Sequence, residues 1–292
     1  MKPGLKNMVF GLCLVVWAAH VQAQTCESPR TLRVSLIPKM SSAALGAEYQ
    51  PLVKVLAAKL QRPIEIVMAP SYGAVVEGLL AGTIDLAELG PASYAQAKAR
   101  DSRVTAFASL IQRIGPNTDA ADSYRSLLIV RRDRKMADLA SLRGSNISLV
   151  DPASTSGALI PRQMITKLTG VPFERYFGRI TFAGSHDRAI QAVQKGFVDA
   201  AFVSSSRLDE ALRQGSVRPD ELQVQWKSSP IPYDPFVYRG QLCQAVTDRI
   251  KQAFFQNIAW RQDLFKDMNG EGFAHVSDEN YRDIREAYAN QR

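Results

Sequence analysis

The chain has 292 residues, 46% of them hydrophobic and 22% charged, which exceeds one small core, suits two ordinary domains and excludes a disordered chain. A formal net charge of +8 weakly steers anionic small molecules toward it. The basic residues are dispersed apart from Arg131, Arg132, Arg134 and Lys135, so no basic stripe marks a nucleic-acid partner.

Lys2 and Lys6, the apolar run Met8 to Ala19 and Val21-Gln22-Ala23 spell a secretory signal over residues 1–23, with cleavage expected after Ala23. A retained anchor is the competing reading, but the run is short and weakly flanked for a membrane span. Cleavage removes Lys2 and Lys6 and takes the charge from +8 to +6. Cys13 follows Leu12 and Cys26 follows Thr25, neither a lipoprotein context. No second apolar run approaches the ~20 residues of a bilayer span, so the mature chain is expected not to cross a membrane. An oxidising compartment lets Cys26 and Cys243 pair, although two unpaired thiols fit the sequence equally.

Leu32 to Ile37 reads as a strand ending at Pro38. Leu52, Val53, Leu56 and Leu60 recur at helical spacing before Gln61-Arg62-Pro63, and Ile64 to Met68 forms the next strand. Ser71 can cap a helix carrying Val75, Val76, Leu79 and Leu80, which Gly82 ends. Ile84 to Leu89 is a third strand, and Pro91 opens another helix. This is the rhythm of a parallel sheet covered on both faces. Val104 to Gln112 and Tyr124 to Val130 then read as extended segments joined by the turn-rich Gly115 to Asp119. A second α/β series follows, with strands at Ile147 to Val150, Ile180 to Phe182, Val198 to Val203 and Leu222 to Trp226. Its helices are expected at Ser156 to Leu168, Asp187 to Lys195 and Ser206 to Gln214. The tail reads as helices near Gln241 to Ile258 and Asp278 to Ala289, with no strand partner of their own. The order is lobe one (24–118), lobe two (119–229) and a return to lobe one (230–292), with crossovers near Phe107–Arg125 and Val224–Val237. Two crossing segments make a hinge, and ligands of open α/β sheets sit beyond the carboxyl ends of strands.

Six loops lie at such ends: Pro38–Ser42, Ala69–Tyr72, Gly90–Tyr94, Asp151–Gly157, Gly184–Asp187 and Val203–Ser206. In Asp151-Pro152-Ala153-Ser154-Thr155-Ser156-Gly157, the hydroxyls of Ser154, Thr155 and Ser156 join a helix N-terminus to make a neutral donor cup for an oxyanion. The same residues would also serve as a plain helix cap. His186 can donate to an anion, while Asp187 can cap the helix or orient the imidazole. Tyr72, Tyr94 and Tyr124 offer phenol donors near strand ends, with core packing the alternative, strongest for Tyr94. Ser205 and Ser206 end the last of these loops. Asp234, fixed among Pro230, Pro232 and Pro235 at the second crossover, can face the cleft, where a carboxylate would repel an anion but suit an amino group or accept from a protonated oxygen, or can simply turn the chain.

A hydrolase reading of Ser156, His186 and Asp187 is weakened by the missing Gly-x-Ser-x-Gly elbow and by the adjacency of His186 and Asp187. No Walker loop, dinucleotide fingerprint or metal-ligand cluster appears, so no cofactor or metal is expected.

These loops resemble the phosphate/phosphite/phosphonate substrate-binding proteins of ABC transporters, a branch of the type II periplasmic binding proteins. The resemblance rests on Gly90-Pro91-Ala92-Ser93-Tyr94, Tyr124-Arg125-Ser126, Leu139 to Gly144, the Asp151 to Gly157 loop with Pro161, Gly184-Ser185-His186-Asp187 with Ala192-Val193, Val198-Asp199-Ala200, and Ser228 to Pro232. It spans about Leu32 to Phe255. It implies a two-lobed α/β fold, each lobe a mostly parallel sheet flanked by helices. It also implies a periplasmic location, a phosphorus oxyanion in the cleft and an inner-membrane permease as partner. Ser154, Thr155, Ser156 and His186 look like the oxyanion donors, Tyr72 and Tyr124 like the closing tyrosines, and Asp234 like the family's acid after the paired prolines. Tyr94 matches a motif but is less clearly a contact. Members taking an aminoalkyl phosphonate carry a second carboxylate where this chain reads Val203-Ser204-Ser205-Ser206, so a ligand that is smaller or lacks an amine is equally expected. A periplasmic sensor of the same fold is the alternative to transport.

Overall fold

Alternating strands and helices sort into two sheets in the computed structural model, which describes residues 26–134, 136, 138–256, 265–266 and 268–290. The expected signal, Lys135 and the end of the helix expected to reach Ile258 lie outside the described residues. The chain begins with β1 (Leu32–Leu36), α1 (Ser42–Leu60), β2 (Ile64–Ile66), α2 (Tyr72–Leu80), β3 (Leu86–Glu88) and α3 (Pro91–Arg100). It continues through β4 (Thr105–Gln112), β5 (Ser123–Tyr124) and β6 (Ser126–Arg131). The second series is β7 (Ile147–Leu149), a wide π turn (Thr155–Leu159) running into α4 (Ile160–Thr169), α5 (Phe173–Tyr176), β8 (Ile180–Phe182), α6 (His186–Gln194), β9 (Ala200–Ser204), α7 (Ser205–Arg213) and β10 (Leu222–Lys227). The return comprises β11 (Ile231–Pro232), β12 (Pro235–Tyr238), α8 (Gln244–Phe255), β13 (Gly270–His275) and α9 (Arg282–Ala289).

One sheet has the order β13-β4-β12-β3-β1-β2 and the other β10-β6-β9-β7-β8. Each is mixed rather than mostly parallel. β1 is parallel to β2 and β3, and β7 to β8 and β9, whereas β12, β13, β6 and β10 run antiparallel to their neighbours. β4, β6, β10 and β12 flank the chain's crossings between sheets, and β13 adds antiparallel to β4 at the edge. The crossing segments pair with each other, Tyr124 opposite Ile231 and Ser123 opposite Pro232.

The strands read as unbroken apolar runs because helices cover both faces. One core gathers Leu56, Phe236 and Phe254 on one face of the first sheet, and another Leu128, Leu149, Ile165 and Phe202 on the second. A third runs across both sheets, joining Leu79 and Leu89 to Val150, Ile190 and Val203. α1 begins at Ser42, ahead of its apolar stripe, with Ser41 accepting from the Ala44 amide, and ends where Gln61 turns left-handed at φ 52°.

The tail differs from expectation. It supplies two strands to the first sheet, β12 between β3 and β4 and β13 at the edge. β12 is only four residues long and opens on Pro235, and β13 carries Gly270 and Gly272, so neither shows a β-branched alternation. Cys26 and Cys243 form a disulfide between the chain start and α8 across a sequence separation of 217. Beside it the buried Arg239 pairs with Asp85 at 2.8 Å and Glu27 at 2.7 Å, so its charge is compensated. Among the described residues no helix is long and apolar enough to cross a membrane.

Candidate functional site

The loops that follow β1, β2, β3, β7, β8 and β9 meet between the sheets, and α2, α3, α6 and α7 begin at this space. An α-helix leaves its first N–H groups without internal partners and carries partial positive charge there. Tyr72 begins α2, Gly90 caps α3, His186 begins α6 and Ser204 caps α7. The π turn starts at Thr155 behind Ser154, whose Oγ accepts from the Gly157 amide at 3.1 Å. A Cβ on Gly157 would fall 2.5 Å from the Val150 Cβ, so glycine lets this turn pack onto the end of β7.

The resulting cavity is narrow, with about 10 Å³ open to the centre of a water-sized atom, about the space of one water, so the walls are closely drawn together. Tyr72, Tyr124, Ser154, Thr155, His186, Ser206 and Asp234 line it, as expected from the sequence. Lys39, Ser204, Arg207 and Tyr233 line it too and were not singled out. Lys39 and Ser204 belong to the strand-end loops Pro38–Ser42 and Val203–Ser206, and Arg207 and Tyr233 adjoin Ser206 and Asp234.

Three expected residues lie elsewhere. The Tyr94 hydroxyl donates to Asp278 Oδ1 at 2.8 Å and its ring packs edge-on against Tyr281, so it ties α3 to the C-terminal segment. Ser205 Oγ accepts from the Arg125 amide at 3.0 Å and bonds Thr118, fixing α7 to a crossover. Ser156 is not among the lining side chains, and its buried Oγ has no hydrogen-bonding partner. Asp187 neither caps α6 nor touches the imidazole. Ser185 is the cap, and Asp187 binds Arg207 at 3.0 Å and 3.1 Å.

Donors dominate the wall. Thr155 Oγ1 accepts from the Ala92 amide at 2.8 Å, so its own O–H is a donor that faces Tyr124 and the cavity. Tyr72 Oη is buried without a partner. Ser204 N–H donates to His186 Nδ1 at 3.0 Å, so the neutral ring carries its proton on Nε2 as a donor. Burial, with Arg207 and Lys39 nearby, lowers the His186 pKa to about 3, so the ring stays neutral.

Two cations in the wall are paired. Lys39 Nζ contacts Glu88 at 3.0 Å and 2.9 Å and Tyr49 Oη at 2.7 Å. Burial alone would lower its pKa, but Glu88 holds it well above the ordinary value. Arg207 is held by Asp187. Asp234 has no such partner. Burial, reinforced by Glu88, raises its pKa to about 8, so at neutral pH it is a carboxylic acid that can donate. Burial, with Asp234 adding to it, also raises the pKa of Tyr72 and Tyr124, which remain neutral donors. The wall thus presents neutral hydroxyl, imidazole and carboxyl donors around a compact space, which suits an oxyanion that keeps several oxygens in need of donors.

The same residues join the two halves. The Tyr72 amide donates to Asp151 Oδ2 at 3.2 Å, and Ser93 Oγ donates to the Ala153 carbonyl at 2.9 Å. With the Ala92–Thr155 bond, these tie α2 and α3 of one sheet to the loop after β7 of the other.

Two mixed α/β sheets, paired crossing segments and a donor-lined pocket between them define a two-lobed solute-binding protein of the type II periplasmic architecture. Residues 34–281 match the family of periplasmic substrate-binding proteins of phosphonate ABC transporters, and the chain belongs to that family. It is 32% identical over 245 residues to the phosphate-import protein PhnD of Mycolicibacterium smegmatis, covering 81% of this chain and 75% of that one. It is 28% identical over 253 residues to the phosphonates-binding periplasmic protein of Escherichia coli, covering 85% and 71%. The structure of PhnD1 from Prochlorococcus marinus in complex with methylphosphonate superposes with a TM-score of 0.78 at 20% identity, covering 90% of this chain and 99% of that one.

Proposed function

We propose that this protein captures a compact phosphorus oxyanion (phosphite, phosphate or a small phosphonate) between its lobes and presents it to an inner-membrane ABC permease. It acts in the periplasm after removal of residues 1–23 and returns its ligand unchanged. The lobes are assigned as 24–118 with 230–292, and 119–229. Ser154, Thr155, His186, Tyr72, Tyr124 and Asp234 are its ligand contacts, with Ser206 beside them.

The observation that carries this reading is Thr155. Its hydroxyl lines the pocket and also accepts the Ala92 amide of the other lobe at 2.8 Å. A guest that orients this hydroxyl therefore reinforces the closed arrangement a permease would read. The relatives named for phosphate import and phosphonate binding support the ligand class.

Titration calorimetry of the mature protein against phosphite, phosphate, methylphosphonate and sulfate tests the proposal. A phosphorus compound is expected to bind at least about a hundredfold tighter than sulfate, a difference of about 2.7 kcal/mol. Tight sulfate binding with silence toward every phosphorus compound would sink it.

A further inference from the structure

Beyond the oxyanion donors, the wall differs from what an amine needs. An ammonium group requires desolvated acceptors, normally carboxylates. Asp234 is the carboxyl side chain among the lining residues. It belongs to the donor cup, because a Cβ placed on Gly90 would lie 3.4 Å from Thr155 Oγ1 and 3.9 Å from Asp234 Oδ1. Ser204 and Ser206 hydroxyls are engaged with each other at 2.7 Å. The next residue is Arg207, whose side chain is only 12% exposed and is clamped by Asp187 from α6. Lys39 is the second cation of the wall, held by Glu88.

We infer that Arg207 is a specificity-determining residue of this pocket: its clamped guanidinium sets the wall against an ammonium and limits the protein to amine-free oxyanions. The inference rests on the phosphorus-oxyanion reading above and narrows it. The Asp187 clamp matters because a guanidinium with both its Nε and Nη2 engaged cannot swing away when a cationic guest enters. Arg207 lines the pocket and its partner Asp187 does not, so an entering ammonium meets the guanidinium first; the carboxylate behind it reduces the repulsion, and what is left discriminates against the amine.

The test uses an isosteric pair, ethylphosphonate and aminomethylphosphonate, which differ by a methyl against an ammonium. Both are titrated into the mature wild-type protein beside methylphosphonate. Aminomethylphosphonate is expected to bind at least about a hundredfold more weakly than ethylphosphonate. Arg207→Gln is expected to shrink that ratio by about tenfold or more, even though ethylphosphonate and methylphosphonate both weaken with the loss of a wall cation, and Arg207→Lys is expected to keep it. Equal affinity for the isosteric pair in the wild type, including equal silence toward both while methylphosphonate binds, overturns the role of Arg207 without touching the broader reading. A ratio unchanged in a folded Arg207→Gln variant overturns it too. Silence toward every phosphorus compound, methylphosphonate included, removes the broader reading and this inference with it.

Discussion

Replacing Asp234 by asparagine keeps the shape of a buried side chain and removes its titration. Asp234 is 8% exposed and lies among Tyr72, Tyr124 and Tyr233, while Lys39 beside it is already engaged by Glu88. Its pKa of about 8, against ~3.9 in an unfolded chain, means the folded protein holds a proton that the unfolded chain has released. The contribution of Asp234 to stability is therefore most favourable below about pH 4, falls by ~1.4 kcal/mol per pH unit as pH rises toward 8, and is level beyond it. The accumulated cost approaches about 6 kcal/mol at alkaline pH. Asp234→Asn removes that slope. Urea unfolding of both proteins across this range should show the variant gaining on the wild type between about pH 4 and 8, with the gap constant above. Ligand binding should respond in parallel. An ionised carboxylate ~4 Å from the guest's charge would cost about 4 kcal/mol at an effective dielectric of ~20, so wild-type affinity for an oxyanion should fall above pH 8. The asparagine amide still donates, so the variant should bind at neutral pH and lose this alkaline fall. A gap in stability that is flat with pH, together with lost binding in the variant at pH 7, would mean Asp234 acts as an ionised acceptor and refute the reasoning.

Other perturbations separate the donors from the scaffold. Thr155→Ala should weaken oxyanion binding by about 1–3 kcal/mol in calorimetry, since the guest and the Ala92 amide both lose a buried partner. Tyr94→Phe deletes the bond to Asp278 and should lower unfolding stability by about 1–2 kcal/mol while leaving oxyanion affinity within about twofold. Loss of binding in that variant would return Tyr94 to the pocket. Reducing Cys26–Cys243, or replacing both cysteines by serine, opens a link of sequence separation 217 and should destabilise the protein by about 5 kcal/mol in thermal or urea unfolding.

Much of the fold was legible because buried strands and helix caps leave local marks. Ser71 caps α2 and accepts from the Ala74 amide, as its place before an apolar helix implied. The strands at Ile147 to Leu149 and Ile180 to Phe182 stand where apolar runs between turn residues put them. β12 and β13 left no such mark. β12 is stabilised by neighbours on both sides, with Phe236 packed against Phe254 and Phe273 at 4.8 Å and 5.6 Å, contacts made by residues distant in sequence. β13 borrows its order from β4. Pairing between distant segments decides strands like these, and local propensity does not.

The site divides along a similar line. A helix start announces that several side chains and amides gather at one point, but successive residues on a helix diverge by about 100°. Thus Ser206 faces the cavity while Ser205 turns to Arg125 and Thr118. Tyr94 is three residues into α3 from Pro91, and its ring points to Tyr281. The overlooked cations have a different origin. Lys39 and Arg207 are each neutralised by a carboxylate far away in the chain, Glu88 and Asp187, and an unpaired cation in a buried wall would be untenable. Only those pairings make it physical for Lys39 and Arg207 to face a guest. The charge of the pocket is therefore a property of partners brought together by two different sheets, and this is the quantity on which discrimination between an amine-bearing and an amine-free oxyanion depends.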